Sequence, residues 1–319
     1  MTSKRPTFDE LPLRKDGPRG NAWGLWGPDD QLGMLNLLTP DVTTAAAREI
    51  VDGGRVSVNL PLGHLTPPCF GRAPLEHKVW QKTPRIVFDD SLSINTQSSS
   101  QWDGFRHYGF QKEGLFYNGK TPDDIRDSNA NSMHAWVESG GIVGRGVLLD
   151  YAAWADSQGL SPAIFAPTSI TVSTLKQVAE SQGTTFRHGD ILFIRSGYVR
   201  AYNKLPAPDR LALTEPAVPS AIGVESSEDT LRWLWENEFS AVVGDHPSVE
   251  AWPVQNREYC LHEWLLAGWG VPLGELFDLE SLSAECKKRG RWSFFFTSMP
   301  LNVSDVFIEL LVEGYTNLR

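Results

Sequence analysis

The residues best suited to chemistry lie in one short run, SLSINTQSSSQWDGFRH, at 91–107. Read as an extended strand, it carries Ser91, Ser93, Asn95, Gln97, Ser99, Gln101 and Asp103 at odd positions. Leu92, Ile94 and Trp102 fall at even ones, with Thr96, Ser98 and Ser100. A period of two puts Gln97, Gln101 and Asp103 on one face. Gly104 permits a bend, and His107 follows four residues after the aspartate. Two amides, a carboxylate and an imidazole in that span can bind a polar group and move a proton near neutrality. The same pattern also suits an ordinary solvated strand, so the run alone leaves both readings open.

Other candidates lie far along the chain. His262 precedes Leu265 and Leu266 at helical spacing and so shares their apolar face, where an imidazole must be hydrogen-bonded or coordinated. Glu275 follows the turn GWGVPLG and can return toward the same place. Asp245, His246 and Glu250 form a polar cluster after the apolar run AVVG, a good location for a site and also a common loop composition. His134, before GGIVGRGVLLD, can reach a pocket rim; His64, His77 and His188 read as loop residues.

The elements that must position these groups alternate in type. RVSVNLPL (55–62) has apolar residues at period two, and VLLD (147–150), ILFI (191–194) and AVV (241–243) read as short buried strands. Helices are expected from about Ser173 to a stop at Gly183, over 226–238 with carboxylates in the first turn, and over 257–268 closed by Gly268. RWSFFFTS and DVFIELLVE read as strands around Pro300. Residues 1–20, with Pro6, Pro12 and Pro18, predict an irregular N-terminal arm; 21–319 shows no linker or repeat and reads as a single α/β domain.

Composition narrows the function. With 29 basic and 39 acidic side chains the net charge is −10, which argues against nucleic acid or an anionic membrane as partner. No apolar window approaches the length of a membrane span. Three scattered cysteines, Cys69, Cys260 and Cys286, make no disulfide framework, and with no apolar leader a reducing, cytoplasmic location is expected. A P-loop, a nucleophile elbow and a dinucleotide fingerprint are all missing, and Leu266 stands where a zincin helix would need its second histidine.

Residues 97–107, QSSSQWDGFRH, align without gaps with the signature H-x-G-T-H-x-D-x-P-x-H, and here the chain resembles the cyclase superfamily that contains kynurenine formamidase and isatin hydrolase. WGPDDQLGMLNLLTP (26–40), GRGVLLD (144–150), GDILFIRSGY (189–198), VVGDHPSVEAWP (242–253) and HEWLLAGWGVPLGEL (262–276) are similar to family segments in family order. The resemblance implies a swivelling β/β/α domain with a mixed sheet, assembled as a homodimer or homotetramer, acting on a small molecule. It also implies Asp103 as bridging carboxylate, His107 as general acid/base, and His262 and Glu275 as ligands of a second metal position.

The chain departs from the signature where the family binds its first metal: Gln97 and Gln101 replace the two histidines, Ser99-Ser100 replaces Gly-Thr, and Phe105 replaces proline. A glutamine oxygen is a weak ligand where zinc prefers imidazole or thiolate. What the resemblance then implies is either no metal or a single Zn or Mn at Asp103, His262 and Glu275. Gln97 and Gln101 are expected to offer N–H donors to a carbonyl or oxyanion beside catalytic His107 and Asp103. Trp102, His134 and His246 are expected to contact substrate. The leading expectation is a formamidase-like hydrolase of a small amide, imide or lactone. The alternatives are a metal-independent cyclase, dehydratase or lyase of a specialised metabolite, and an inactive small-molecule binder.

Overall fold

The computed structural model describes residues 5–215, 219–303 and 308–318. Its strands run β1 (Gly54–Ser57), β2 (Glu76–Gln81), β3 (Phe88–Ser93), β4 (Gln101–Asp103), β5 (Ile142–Leu149) and β6 (Ser169–Ile170). They continue as β7 (Ile191–Ile194), β8 (Gly223–Val224), β9 (Ala241–Gly244), β10 (Leu273–Glu275), β11 (Ser293–Pro300) and β12 (Ile308–Leu318). The main sheet is ordered β1-β12-β11-β5-β7-β9-β10-β4, and β4 also pairs with β12, so the sheet curls until it closes on itself. Strands β5, β7, β9 and β10 are mutually parallel, and the remaining pairings of this sheet are antiparallel. Three of the parallel members, β5, β7 and β9, carry the apolar runs singled out in the sequence. They are buried on both faces, as strands covered by helices on one side and by packed core on the other must be.

Inside the curl an aromatic cluster fills the space. Phe193 meets Phe294 and Phe296 at ring-centroid distances of 5.1 and 5.0 Å, and Trp102 meets Phe277 at 5.3 Å. Gly146 is required there, because a Cβ would lie 2.1 Å from the Phe294 ring. The two expected helices are found at Val172–Gln182 and Glu228–Glu236, starting on the side-chain caps of Thr171 and Ser227.

Two expectations need correction. The run 91–107 is not one strand: β3 ends at Ser93 and β4 begins at Gln101. Between them Asn95 folds the chain over, its Oδ1 accepting the Gln97 amide at 2.9 Å and its carbonyl accepting the Ser98 amide at 2.9 Å. The helix expected at 257–268 is a short 3-10 turn at Arg257–Tyr259, then a wider π-helical segment at Glu263–Trp269. It is Gly270 that ends it, in the left-handed region at φ 70°. The N-terminal arm is irregular but firmly packed. Arg5 lies 3.8 Å over the Trp235 ring, and Phe8 stacks on Trp264 at 5.9 Å.

A buried ion network ties the sheet to the segment before β1. Arg145 on β5 reaches Glu49 at 3.1 Å and Asp190 at 2.7 Å. Burial pushes the Asp190 carboxyl up to about 6 despite the opposing pull of Arg145. Arg145→Met should cost about 3–5 kcal/mol at pH 7, because buried Asp190 loses its guanidinium partner and buried Glu49 is left with Arg187 and Ser293. The folded chain takes up the Asp190 proton near pH 6 and the unfolded chain only near 3.8, so acidification relieves the folded variant. Urea unfolding should therefore show a smaller loss at pH 5 than at pH 7, and equal losses would contradict this account.

Candidate active site

The register of β4 against β10 sets the site. Gln101 lies opposite Glu275, and Asp103 lies opposite Leu273. Gln101, Asp103 and Glu275 therefore share one face, while Trp102 and Gly274 turn to the other. Cross-strand, Gln101 Nε2 donates to Glu275 Oε2 at 3.1 Å. From the loop before β4, Gln97 Nε2 donates to Asp103 Oδ1 in a short bond, and its Oε1 accepts Arg72 Nη2 at 2.7 Å. Arg72 Nη1 donates to the Gln97 carbonyl at 2.9 Å.

The second half comes from the turn at residues 260–262. His262, fully shielded at the start of the π-helical segment, points Nε2 at Asp103 Oδ2 (3.4 Å) and Glu275 Oε1 (3.3 Å). Its Nδ1 donates to Glu250 Oε2 at 2.6 Å; Glu250 Oε1 accepts the His262 amide at 3.2 Å and the Cys260 thiol at 3.3 Å. His107 Nε2 approaches Asp103 Oδ2 at 3.5 Å, and its side chain keeps 19% exposure where Asp103 has none.

The charges are strongly coupled. Burial drives the Asp103 carboxyl up, but the charges of His107 and His262 and the bonds from His262 and Gln97 outweigh it and hold it below the ordinary range. His262 is discouraged from ionising by burial, yet Glu250, Asp103 and Glu275 raise its pKa well above that of free imidazole. Glu275 is pushed up to about 7 by burial and by Asp103. Burial lowers His107, with His262 and Arg72 adding to that effect against the pull of Asp103. Burial thus favours the neutral form of His107, and the surrounding carboxylates favour the charged form of His262.

The cluster floors a cavity of about 210 Å³, to which Arg72, His107, His262 and Glu275 contribute the charged and imidazole groups. Its walls are Phe70, Tyr108, Pro247 and Trp252, with Ser248 beside them. The Ser248 hydroxyl is buried and has no protein partner.

Gln97, Gln101, Asp103, His107, His262 and Glu275 are brought together as the sequence predicts. The two amides nevertheless have a different duty from the one expected. Their N–H groups are engaged with Asp103 and Glu275, and neither side chain is part of the cavity lining. The three expected substrate contacts lie elsewhere. Trp102 is wholly buried in the aromatic core, its indole N–H on Ser298 at 3.0 Å. His134 pairs with Asn302 at 2.7 Å, away from the cavity. His246 is sealed against Gly244 with both ring nitrogens unpartnered. Asp245 accepts the Ser196 and Gly197 amides at 2.6 and 2.8 Å, so the expected Asp245–His246–Glu250 cluster splits and only Glu250 joins the site. Arg72, Phe70, Tyr108 and Trp252 carried no sequence signal that would select them.

The family metal positions fit this chain unequally. At the first, a guanidinium is bonded to Gln97 and the Gln97 amide donates toward Asp103, so a cation and donors stand where ligands are required. At the second, Asp103 Oδ2 converges with His262 Nε2 at 3.4 Å and His107 Nε2 at 3.5 Å, and Glu275 Oε1 lies 3.3 Å from His262 Nε2. Glu250 behind Nδ1 is the carboxylate support that metal-bound histidines characteristically have. This donor set suits one divalent ion.

A family model described as "Putative cyclase" matches residues 55–251. The chain belongs to the cyclase family. A crystal structure described as a novel cyclase is similar at 28% identity and TM-score 0.81, over 93% of this chain and 99% of that one. An isatin hydrolase bound to the product analogue thioisatinate shares the fold at 11% identity and TM-score 0.60, over 86% of this chain and 97% of its own. Isatin hydrolase A from Labrenzia aggregata, bound to benzyl benzoate, shares it at 14% identity and TM-score 0.56, over 88% and 98%. No curated protein matches the sequence. Among the described residues no helix is long and apolar enough to cross a membrane.

Calorimetric titration of the metal-stripped protein with Zn²⁺ or Mn²⁺ should saturate at one ion per chain, and Asp103→Asn should weaken it by about 10–100-fold or more. Saturation at two ions per chain would show that the glutamine position still binds metal.

Proposed function

We propose that this cyclase-family protein is a hydrolase of small amides, imides or lactones, with His107 as its general base and acid. One observation carries the reading. His107 Nε2 stands 3.5 Å from a buried carboxylate and lines a cavity with mostly apolar walls, and burial lowers its pKa toward the neutral form. A base must be unprotonated and within reach of its water, and His107 is the imidazole that meets both needs. Its Nε2 takes a proton from water as the water oxygen adds to the substrate carbonyl carbon. It then gives that proton to the leaving nitrogen or oxygen as the carbon–heteroatom bond breaks, so His107 ends neutral. Asp103 stabilises the imidazolium in between, and Gln97 and Gln101 position Asp103 and Glu275. A divalent ion held by Asp103, His262 and Glu275 would lower the pKa of a bound water and polarise the carbonyl.

A second reading, cyclisation or dehydration without added water, is favoured by the guanidinium at the first metal position, since a cation can polarise a carbonyl with no metal-activated water. The two separate cleanly in ¹⁸O-labelled water. Turnover of a panel of formanilides, cyclic imides and aryl lactones should place one labelled oxygen in the product, and unlabelled product would transfer the assignment to the lyase reading. His107→Ala should lower kcat by about 10²–10⁴-fold. Unchanged turnover in that variant would remove His107 from the mechanism.

A further inference from the structure

Arg72 reaches the site from a loop that lies in none of the sequence motifs singled out, within the span 55–251 that the family model matches. Its loop turns sharply just before it: Phe70 and Gly71 both adopt left-handed backbone, at φ 61° and 66°. For a phenylalanine that conformation is costly, and residues are kept in it where the surroundings need the result. The result here is a guanidinium 4.7 Å from the Phe70 ring centroid and bonded to Gln97, at the edge of the cavity that holds His107. Gln97 takes two of the five N–H bonds that an arginine offers. The carboxylates nearby do not claim the rest: Asp103 and Glu275 are engaged with Gln97, Gln101 and His262. Phe70 meets Trp252 edge-on at 5.7 Å, so a flat apolar wall stands beside the cation. The buried Ser248 hydroxyl adds an unused donor to the same cavity.

We infer that Arg72 supplies the fixed positive charge that receives the substrate's acyl oxygen and then the carboxylate that hydrolysis leaves. The inference rests on the hydrolase reading for its chemistry. As water adds to the carbonyl carbon, the π electrons move onto the oxygen beside Arg72. As the tetrahedral intermediate collapses, the leaving group takes the proton from His107, and the new acid ionises against the guanidinium. Arg72 thus takes the electrophilic place of the first metal, and unlike an ammonium it stays charged across the working range.

Benzoate and benzamide are the probes, one a ring carboxylate and the other its neutral match, titrated calorimetrically into the full-length protein at pH 7. The wild type should bind benzoate about tenfold more tightly than benzamide. Arg72→Gln, whose amide N–H can still meet a neutral acyl oxygen, should abolish that preference while weakening benzamide only a few-fold, which also shows that the variant's cavity is intact. Equal binding of the two probes by the wild type overturns the inference. So does a preference that survives in Arg72→Gln, or a loss of benzamide binding along with benzoate, since the arginine would then be a structural part. Because the measurement needs no turnover, a benzoate preference lost in the variant stands even if labelled water shows no hydrolysis.

Discussion

The arrangement depends on one constraint: Asp103 is a carboxylate with no exposure to water, and it stays ionised only if cations and donors surround it. Each neighbour can be understood from that requirement. Gln97 gives an N–H to one oxygen, and Arg72 polarises Gln97 from behind. His262 presents a charged imidazole to the other oxygen, and is itself kept charged by Glu250. Glu275, the most crowded acid, absorbs the surplus negative charge by drifting up to about 7. What is left for His107 is a neutral state, since two cations near it and burial around it oppose a third positive charge.

The two glutamines illustrate how a change of one atom type alters a site's logic. A histidine ligand presents a lone pair and leaves room for an ion between itself and the aspartate. A glutamine presents N–H groups, and the gap between amide and carboxylate closes into a direct hydrogen bond. The positive charge that an ion would bring is then owed from elsewhere, and the guanidinium of Arg72 stands where it is needed. The second position kept its acceptors, Asp103 Oδ2, Glu275 Oε1 and the ring nitrogen of His262, together with the carboxylate support of Glu250. The chain thus holds one half suited to a metal and one half that carries its own cation.

Much of this was legible in the sequence because short-range rules governed it. Apolar runs at 191–194 and 241–243 are strands because a short apolar run suits a buried strand, and the acidic first turn of the helix at Glu228–Glu236 is local chemistry. The shared face of Gln101 and Asp103 follows from the two-residue period of β4, and the resemblance placed His262 and Glu275 beside them. Gln97 joined that face by another route, through the Asn95 turn, because a polar run with a strong turn former need not stay extended. Trp102 was misread for the reason that Asp103 was read well: alternation sends its ring to the opposite side, into the core. Arg72, Phe70 and Trp252 depend on long-range closure and backbone geometry, which no local pattern announces.

That closure also explains why the charged face is rigid. Between Arg72 and Gln97 the chain leaves the body as the β2–β3 hairpin, whose Val79, Phe88 and Leu92 share one face and are 60%, 63% and 52% exposed. A two-stranded hairpin of this kind is marginal alone, so its own pairing cannot hold its two ends at the site. The twin bonds from Arg72 to the carbonyl and the amide oxygen of Gln97 do so, closing the excursion at its base. For a loop of that length the entropic cost of closure is modest and grows only logarithmically, so a charge-assisted pair is enough to offset much of it. The same two bonds that return the chain to β4 also orient the amide that holds Asp103. Gln97 is thus where the return of the chain to β4 and the orientation of the Asp103 carboxylate meet, held on its own side by the Asn95 turn.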